Sequence, residues 1–371
     1  MYKIPFMRPN VVQRDKYMHY FDQIDESKIY SNYGPLNSRF ENRVMADFFN
    51  NNGDVTTVNN ATTGLILAIN HMKRRGKYAL MPSFTFSATP LAALWAGLTP
   101  YFIDIDEKKW CMDEEILKKA IAELGEEVAV VVPYATFGTC LDLTFYDDLH
   151  KSGVPVVIDA AASFGAKQGT TFFGTGFSGA IVYSFHATKS FGVGEGGMVY
   201  SEDKTLIQEL KKAGNFGYYG SRESTLMGLN GKMSEYTAAI ALATLDIMGE
   251  KLANRLKIYQ LYMDYIKHAR LQERGWGLQE ISGEVPHQFF SILCPEDRER
   301  DYFIDLYKSK GIQVNCYFSP PCHLQELFRN CNHTPLENTQ KLSKRIICLP
   351  AWEGMESNHI KEVVRVIDEA K

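Results

Sequence analysis

A single lysine, Lys189, stands between two apolar runs in the segment Ser184–Gly197, SFHATKSFGVGEGG. The run before it, GAIVYSF, and the run after it, GGMVYS, predict two buried strands joined by a glycine-rich turn. A lysine that is partly desolvated at the end of a strand has a lowered pKa, so its neutral amine becomes available. A neutral amine forms a Schiff base with an aldehyde, the covalent link that pyridoxal phosphate (PLP) enzymes use. The alternative is a surface lysine in a loop, so the interpretation depends on the neighbouring sequence.

The first 250 residues alternate between apolar runs and amphipathic segments. Helical spacing of apolar residues is seen at residues 38–49 and 62–75. The apolar runs are bounded by turn residues and read DVTTV, KYALMP, LTPYFIDI, EEVAVVVPY and VPVVIDAA. This alternation predicts an α/β fold with a mostly parallel sheet covered by helices on both faces.

The pattern changes after a long helical stretch that begins at Met233 and is interrupted by Gly249. Short strand-like runs, HQFFSILC and RIICLP, then alternate with charged helical segments on a smaller scale. We therefore expect a large domain over residues 1–249 and a smaller α+β domain over residues 250–371.

Composition excludes several classes of protein. The chain has 371 residues, of which 45% are hydrophobic and 23% charged, so we expect a folded protein. Its 40 Lys+Arg against 44 Asp+Glu leave no positive surplus for a nucleic-acid backbone. The first residues, MYKIPFMRPN, lack the apolar core of a signal peptide, and no run approaches about 18 apolar residues. We expect a cytoplasmic protein without a membrane segment, and the seven scattered cysteines do not predict a disulfide framework.

Polar side chains follow the predicted strands. VPVVIDAAASFGA ends a strand at Asp159, and ligands of parallel sheets bind at the carboxyl ends of strands. A carboxylate there can keep the ring nitrogen of PLP protonated, although a helix N-cap is an equally good interpretation. Thr62 and Thr63 open a helix after another strand, where hydroxyl and N–H groups bind phosphate or simply cap the helix. Ser184 offers a further hydroxyl group for a phosphate.

Two phenylalanines, Phe84 and Phe86, follow a third strand in PSFTFSAT. Either ring could stack on an aromatic cofactor, although core packing is the commoner role of phenylalanine. Along the chain, the two candidate phosphate-binding threonines thus come first, followed by the two phenylalanines, then by Asp159 and finally by Lys189.

Taken together, these segments resemble the sugar aminotransferases of the DegT/DnrJ/EryC1/StrS family. The similarity runs from about Tyr30 to the C-terminus and is most specific in SFHATK and GEGG, at their spacing from the IDAA strand. It implies a type I, aspartate aminotransferase-like fold, PLP as the cofactor and nucleotide-linked keto-sugars as substrates.

The resemblance also implies a role for each matching residue. Lys189 binds the cofactor aldehyde and acts as general base, Asp159 pairs with the pyridine nitrogen, and Phe86 stacks on the ring. Asn230, in GLNGKMSE, matches an asparagine that reaches the phosphate of the neighbouring subunit, which implies a homodimer with shared active sites. The residues expected to hold the phosphate are Thr62, Thr63 and Ser184.

One position departs from the family pattern. Most relatives carry Gln, His or Glu three residues after the aspartate, where this chain has Ala162 followed by Ser163. We expect Ser163 or a water molecule to replace the missing contact with the cofactor hydroxyl. The lysine at position 189 favours transamination, because family dehydratases carry histidine there.

Two histidines are candidates for contacts with the sugar. His186 lies within SFHATK, and a packed loop histidine is at least as good an interpretation of it. His323 matches a family histidine near the sugar site, and it also belongs to a Cys- and His-rich stretch. That stretch contains no C-x-x-C pair of the kind that binds zinc, so we expect no metal. Its residues are Cys316, Cys322, His323, Cys331 and His333.

The resemblance finally implies a reaction. We expect conversion of a nucleotide-diphospho-4-keto-6-deoxyhexose to the 4-amino-4,6-dideoxy sugar, with L-glutamate as amino donor. SNYGP, NFG and G-x-N-x-K-M-x-E are similar to viosamine-type 4-aminotransferases, which favours a dTDP-linked sugar of the kind built into lipopolysaccharide O-antigens. The alternatives are a 3-aminotransferase, an enzyme for UDP- or GDP-linked sugars or a cyclitol, and a non-catalytic PLP-binding regulator.

Overall fold

A computed structural model of the chain describes residues 2–218 and 220–370. Among these residues, no helix is both long and apolar enough to cross a membrane. The helices are α1 (Arg14–Ser27), α2 (Pro35–Phe49), α3 (Ala61–Met72), α4 (Ala88–Trp95), α5 (Glu114–Leu124), α6 (Leu143–Lys151), α7 (Lys204–Ala213), α8 (Glu235–Asp246), α9 (Met248–His268), α10 (Arg300–Ser309), α11 (Glu337–Arg345) and α12 (Ser357–Asp368). The strands are β1 (Asp54–Val58), β2 (Tyr78–Pro82), β3 (Thr99–Ile103), β4 (Val128–Val131), β5 (Val157–Asp159), β6 (Lys167–Gln168), β7 (Thr171–Phe172), β8 (Ala180–Ser184), β9 (Gly197–Ser201), β10 (Phe290–Leu293) and β11 (Ile346–Leu349).

The large sheet has the strand order β1-β9-β8-β5-β4-β2-β3. Two hydrogen-bonded blocks, β1-β9-β8-β5 and β3-β2-β4, are joined by the parallel bridges Val131–Val156 and Tyr134–Asp159. Strand β9 runs antiparallel to both of its neighbours, and the other pairings are parallel. Helices cover both faces, so strands such as β4, β5 and β8 are buried along their whole length. The predicted mostly parallel α/β sheet is confirmed.

The C-terminal part of the chain forms a smaller unit. Strands β10 and β11 pair antiparallel and share a core with α9, α10 and α12. Ile4 also belongs to that core, so the N-terminal segment packs on the C-terminal part of the chain. The helical break falls at Ile247, between α8 and α9, and α9 continues through the boundary that we place between residues 249 and 250. That domain boundary stays a prediction.

Aromatic rings join the two parts of the chain above the carboxyl ends of the large sheet. The Phe137 ring lies 4.9 Å from that of Phe289 and 5.8 Å from that of Phe318, and Phe84 lies 5.4 Å from Phe318. Because Phe289 and Phe318 come from the C-terminal part, this packing brings its loops over the sheet edge where ligands bind.

Candidate active site

A cavity of about 670 Å³ opens at the carboxyl-terminal edge of the large sheet. Strands β1, β2, β5 and β8 end at this edge, because β9 alone reverses direction within the sheet. The residues predicted from the sequence that line the cavity are Thr62, Thr63, Phe86, Asp159, Ser184, His186 and Lys189. Topology thus gathers segments that lie more than a hundred residues apart in the chain.

Lys189 lies in the turn that follows β8, where its amine faces the cavity. Its Nζ donates a hydrogen bond to Gln288 Oε1 at 3.2 Å. Burial lowers the pKa of the Lys189 amine to about 8, against the opposing attraction of the Asp159 carboxylate. At pH 7.5 about a quarter of such amines are neutral, against about one in a thousand for an ordinary lysine. The lysine is therefore prepared to act as a nucleophile and as a base near neutral pH.

This pKa makes a direct prediction for the cofactor-free protein. Labelling of Lys189 by an amine-specific reagent, followed by peptide mass spectrometry, is expected to rise with a midpoint near pH 8. Exposed lysines in the same sample serve as internal controls, because their ordinary pKa is about 10.4. A Lys189 midpoint that coincides with theirs would contradict the account of its burial.

Asp159, the last residue of β5, holds a buried carboxylate with two hydrogen bonds. Thr89 donates its hydroxyl proton to Oδ2 at 2.7 Å, and the Ala161 N–H donates to Oδ1 at 3.1 Å. Burial raises the pKa of Asp159, while these hydrogen bonds and the Lys189 charge act in the opposite direction. Turns follow Asp159 rather than a helix, so the helix N-cap interpretation is wrong. A buried carboxylate of this kind suits a protonated ring nitrogen, which would favour its charged form.

The N-terminus of α3 forms the opposite wall. Asn60 caps the helix by accepting a hydrogen bond from the Thr63 N–H at 2.9 Å. Ala61 and Thr62 occupy the first turn, whose N–H groups lie outside the helical hydrogen-bond ladder. With the hydroxyl groups of Thr62, Thr63 and Ser184, this wall has the chemistry of a phosphate site at a helix N-terminus.

Gly197 allows β9 to approach this helix terminus. A Cβ atom at Gly197 would lie 2.7 Å from the Tyr183 carbonyl oxygen and 2.9 Å from the Ala61 nitrogen, both of them backbone atoms. The last glycine of the GEGG motif, Gly197, is therefore needed for β9 to pack closely against the N-terminus of α3.

Gly197→Ala is expected to lower the free energy of unfolding by about 1–3 kcal/mol and to weaken PLP binding, because the backbone must shift beside the phosphate wall. Urea unfolding of the cofactor-free protein checks the first effect, and a PLP titration checks the second. Gly249→Ala is the matched control. Apart from its chain neighbours and the backbone of its own helix, no described residue has an atom within 4 Å of a Cβ at Gly249, so this change should stabilise the protein by about 0.5–1 kcal/mol. Equal effects of the two substitutions would contradict this account.

The two phenylalanines of PSFTFSAT have different environments. Phe84 is fully buried and packs against Phe137 and Phe318, whereas Phe86 is 59% exposed and lines the cavity. An exposed aromatic ring at a cavity wall is available to stack on a bound ring. Of the two candidates, Phe86 therefore has the surroundings that stacking requires.

The two candidate histidines differ as well. His186 lines the cavity, with its Nδ1 2.8 Å from the Thr188 hydroxyl and its Nε2 3.6 Å from Glu195, as a hydrogen-bonded loop histidine would be. His323 lies outside the lining, and its Nδ1 is 2.7 Å from the Ser83 hydroxyl. Burial and the neighbouring His333 lower the pKa of His323.

Asn230 also lies outside the lining; it is exposed and forms an isolated antiparallel bridge with Asn215. This position is compatible with a contact across a subunit interface, which stays a prediction. In the part of the chain that the structure describes, no three His, Cys, Asp or Glu side chains come together as a metal site requires.

Several lining residues were not predicted from the sequence. Gln288 and Phe289 precede β10 in the segment HQFFSILC, whose apolar pattern predicts only a strand. Further lining residues that no sequence pattern indicates include Tyr134, Phe137, Tyr317 and Phe318. Thr89 lies in α4, outside the lining, and donates a hydrogen bond to Asp159 that the sequence does not indicate.

This set of donors suits pyridoxal 5′-phosphate. The cofactor needs an amine for its aldehyde, an anion for its ring nitrogen, a ring to stack on and donors for its phosphate. Lys189, Asp159 and Phe86 would meet the first three needs, and the α3 terminus with Ser184 would meet the fourth. When bound, this cofactor withdraws electrons from the reacting carbon.

Comparison with solved structures gives the same assignment. A crystal structure from Bacillus cereus ATCC 10987, assigned as a PLP-dependent aminotransferase, is 51% identical and superposes with a TM-score of 0.97 over 99% of this chain and 100% of the other. The structure of DesI in the presence of its TDP-sugar product is 30% identical, with a TM-score of 0.87, over 97% of this chain and 91% of the other.

Curated relatives extend the comparison to named activities. The dTDP-4-amino-4,6-dideoxy-D-glucose transaminase of Shigella dysenteriae is 28% identical over 98% of both chains. Three relatives at 26% identity cover 82–99% of this chain. They are a UDP-N-acetyl-3-dehydro-alpha-D-glucosamine 3-aminotransferase of Acidithiobacillus ferrooxidans, the GDP-perosamine synthase of Escherichia coli O157:H7 and a dTDP-3-amino-3,4,6-trideoxy-alpha-D-glucose transaminase of Micromonospora megalomicea.

The family model for the DegT/DnrJ/EryC1/StrS aminotransferases matches residues 12–368, nearly the whole chain. Sequence family, fold and the donors of the cavity therefore agree, and the predicted type I fold and cofactor are confirmed. The chain belongs to the DegT/DnrJ/EryC1/StrS aminotransferase family and is a PLP-dependent sugar aminotransferase.

Proposed function

We propose that this enzyme transfers the amino group of L-glutamate to C4 of a dTDP-linked 4-keto-6-deoxyhexose, giving the 4-amino-4,6-dideoxy sugar. The observation that carries the proposal is the pairing of Lys189, with its lowered pKa, and the buried Asp159 in one cavity. The dTDP link and the C4 position are supported by the Shigella dysenteriae relative and by the DesI structure with its TDP-sugar product.

Lys189 is the residue that holds and moves the reacting proton. In its neutral form, the Nζ amine accepts the proton from Cα of glutamate, and in the second half-reaction it returns a proton to C4 of the sugar. Asp159 would hold a proton at the ring nitrogen, and its hydrogen bonds from Thr89 and Ala161 keep it in place. A pKa near 8 lets Lys189 both accept and release a proton near neutral pH.

Aromatic side chains would exclude water and receive the sugar. Tyr134, Phe137, Phe289, Tyr317 and Phe318 line the side of the cavity that the C-terminal part of the chain covers. Apolar walls of this kind suit the C6 methyl group that distinguishes a 6-deoxyhexose from its parent sugar. His186, at the cavity rim, is a candidate partner for a sugar hydroxyl group.

We also propose that the enzyme works as a homodimer with shared active sites. Large apolar side chains are exposed in the single chain, among them Trp95 at 73%, Met227 at 76% and Leu327 at 63%. Exposed apolar surface of this kind is typical of a subunit interface. In such a dimer, the exposed Asn230 would reach the phosphate site of the partner. Light scattering of the purified enzyme measures the assembly directly.

The alternatives to this proposal differ in the ring position that is aminated or in the nucleotide of the substrate. Relatives of similar identity act at C3 or on UDP- and GDP-linked sugars, so position and nucleotide are the parts to be tested. The experiment incubates the enzyme with PLP, L-glutamate and dTDP-, UDP- or GDP-linked 4-keto-6-deoxyhexoses, with a 3-keto isomer as the control. We expect amination of the dTDP-linked 4-keto sugar, with nitrogen on C4 by NMR. Amination of the 3-keto isomer alone would overturn the proposed position.

A further inference from the structure

Gln288 is the hydrogen-bond partner of the catalytic lysine, and it comes from the other part of the chain. Its Oε1 accepts from Lys189 Nζ at 3.2 Å, across a sequence separation of 99 residues. Its Nε2 donates to no group in the part of the chain that the structure describes, although the side chain lines the cavity. A primary amide both accepts and donates hydrogen bonds, so one partner is in place and the donor is unused.

The backbone beside Gln288 is held by buried groups. Arg255 Nη1 donates to the His287 carbonyl oxygen at 3.0 Å, and Arg255 Nε is paired with Glu353 Oε1 at 2.9 Å. The His287 ring stacks on that of Tyr259 with centroids 3.7 Å apart and planes within 6°. Arg255 and Glu353 are both buried, so breaking their pair would leave an uncompensated charge. Gln288 therefore enters the cavity from a fixed position.

Three residues after the aspartate, where most relatives carry a polar side chain, this chain has an alanine. Ala162 is buried and lies outside the cavity lining. The Ser163 hydroxyl is also buried, lies outside the lining and has no hydrogen-bond partner among the described residues. The expectation that Ser163 supplies the missing contact therefore lacks support, because its side chain does not reach the cavity.

We propose that Gln288 is a positioning residue that holds the Lys189 amine before the cofactor binds and then supplies its amide to the hydroxyl-bearing edge of the cofactor, in place of the residue missing at Ala162. This inference rests on the proposed function, since it concerns the same site. The contact would come from the C-terminal part of the chain instead of from the turn after β5, and would thus couple cofactor binding to the packing of the two parts.

The first test uses the cofactor-free protein. A carbonyl oxygen that accepts from an ammonium group favours the charged amine, so Gln288→Leu should shift the midpoint of Lys189 labelling to lower pH by about 0.5–1 unit. Gln288→Glu adds a negative charge and should shift it to higher pH. The other ionisable side chains that line the cavity are unchanged in both variants; they are Asp159, Glu195, His186, Tyr134 and Tyr317. Gln272→Leu, an exposed glutamine of the same part of the chain, is the control.

The second test measures PLP affinity by titration of absorbance. Gln288→Leu should weaken PLP binding about tenfold, as the loss of one hydrogen bond predicts. An unchanged labelling midpoint, or an unchanged PLP affinity, in Gln288→Leu would overturn the inference.

The outcomes also separate this inference from the proposed function. If wild-type enzyme binds no PLP, the proposed function fails, while the labelling midpoints still test the contact between Gln288 and Lys189. If wild-type enzyme binds PLP and reacts with glutamate but Gln288→Leu behaves like Gln272→Leu, the inference about Gln288 alone fails.

Discussion

Lys189→Ala is expected to lower transamination by on the order of 10⁴-fold, because one amine both holds the cofactor aldehyde and moves the reacting proton. The fold should survive, since Lys189 lies in a turn at the cavity, outside the strands of the sheet. Steady-state turnover with glutamate and a keto-sugar measures the loss, and thermal unfolding checks the fold.

Lys189→Arg provides the matched control for charge. A guanidinium group keeps the positive charge but does not become neutral in the accessible pH range, so this variant should be as inactive as Lys189→Ala. Turnover within tenfold of wild type in either variant would show that another group performs the chemistry. If a variant is inactive and its thermal unfolding curve shows that it is no longer folded, the same comparison is made with the milder substitution Lys189→Gln.

Asp159→Asn is expected to have opposite effects on activity and on stability. The amide cannot hold a proton at the ring nitrogen as a carboxylate does, so turnover should fall by on the order of 10²–10³-fold. The fall should be accompanied by weaker PLP binding. Both quantities are measured on the purified variant with added cofactor.

The stability effect follows from the raised pKa of Asp159. Burial makes the folded, cofactor-free chain hold this proton more tightly than the unfolded chain does, so the contribution of Asp159 to stability falls as pH rises through the raised pKa. Asn carries no charge and escapes this penalty. The melting temperature of cofactor-free Asp159→Asn should therefore exceed that of wild type at neutral pH, and the difference should shrink as the pH is lowered.

Asp147→Asn is the control of opposite sign. Burial acts to raise the pKa of Asp147, but hydrogen bonds from Lys151 and Ser178 outweigh it and lower the pKa. Its ionised form therefore stabilises the folded chain, and Asp147→Asn should lower the melting temperature at neutral pH. If Asp159→Asn also melts lower than wild type at neutral pH, burial of the Asp159 carboxylate does not destabilise the folded, cofactor-free chain, and this explanation is wrong.

The sheet could be predicted from the sequence because its strands are buried on both faces. Runs such as VAVV in β4 and AIVYS in β8 are apolar without interruption, which is typical of parallel strands. The candidate residues at the strand ends were predictable for a related reason. Parallel strands bring their carboxyl ends to one edge, so Asp159 and Lys189 meet once the topology is known.

The remainder of the site depends on packing between distant segments. Gln288 reaches Lys189 only because Phe289 and Phe318 pack on Phe137 over the sheet edge, and no local pattern in HQFFSILC indicates that contact. Phe84 and Phe86 both follow β2, and each lies between a serine and a threonine in the sequence. Only the three-dimensional structure therefore distinguishes the exposed Phe86 from the buried Phe84.

The most direct test of the central claim is the visible absorption spectrum of the purified enzyme with PLP, before and after addition of L-glutamate. If Lys189 is the catalytic lysine, we expect a yellow band that requires Lys189, fades when glutamate is added and returns when the dTDP-linked 4-keto sugar follows. A protein that forms no such band with PLP, or forms the same band after Lys189→Ala, would contradict the assignment of Lys189 as the catalytic lysine.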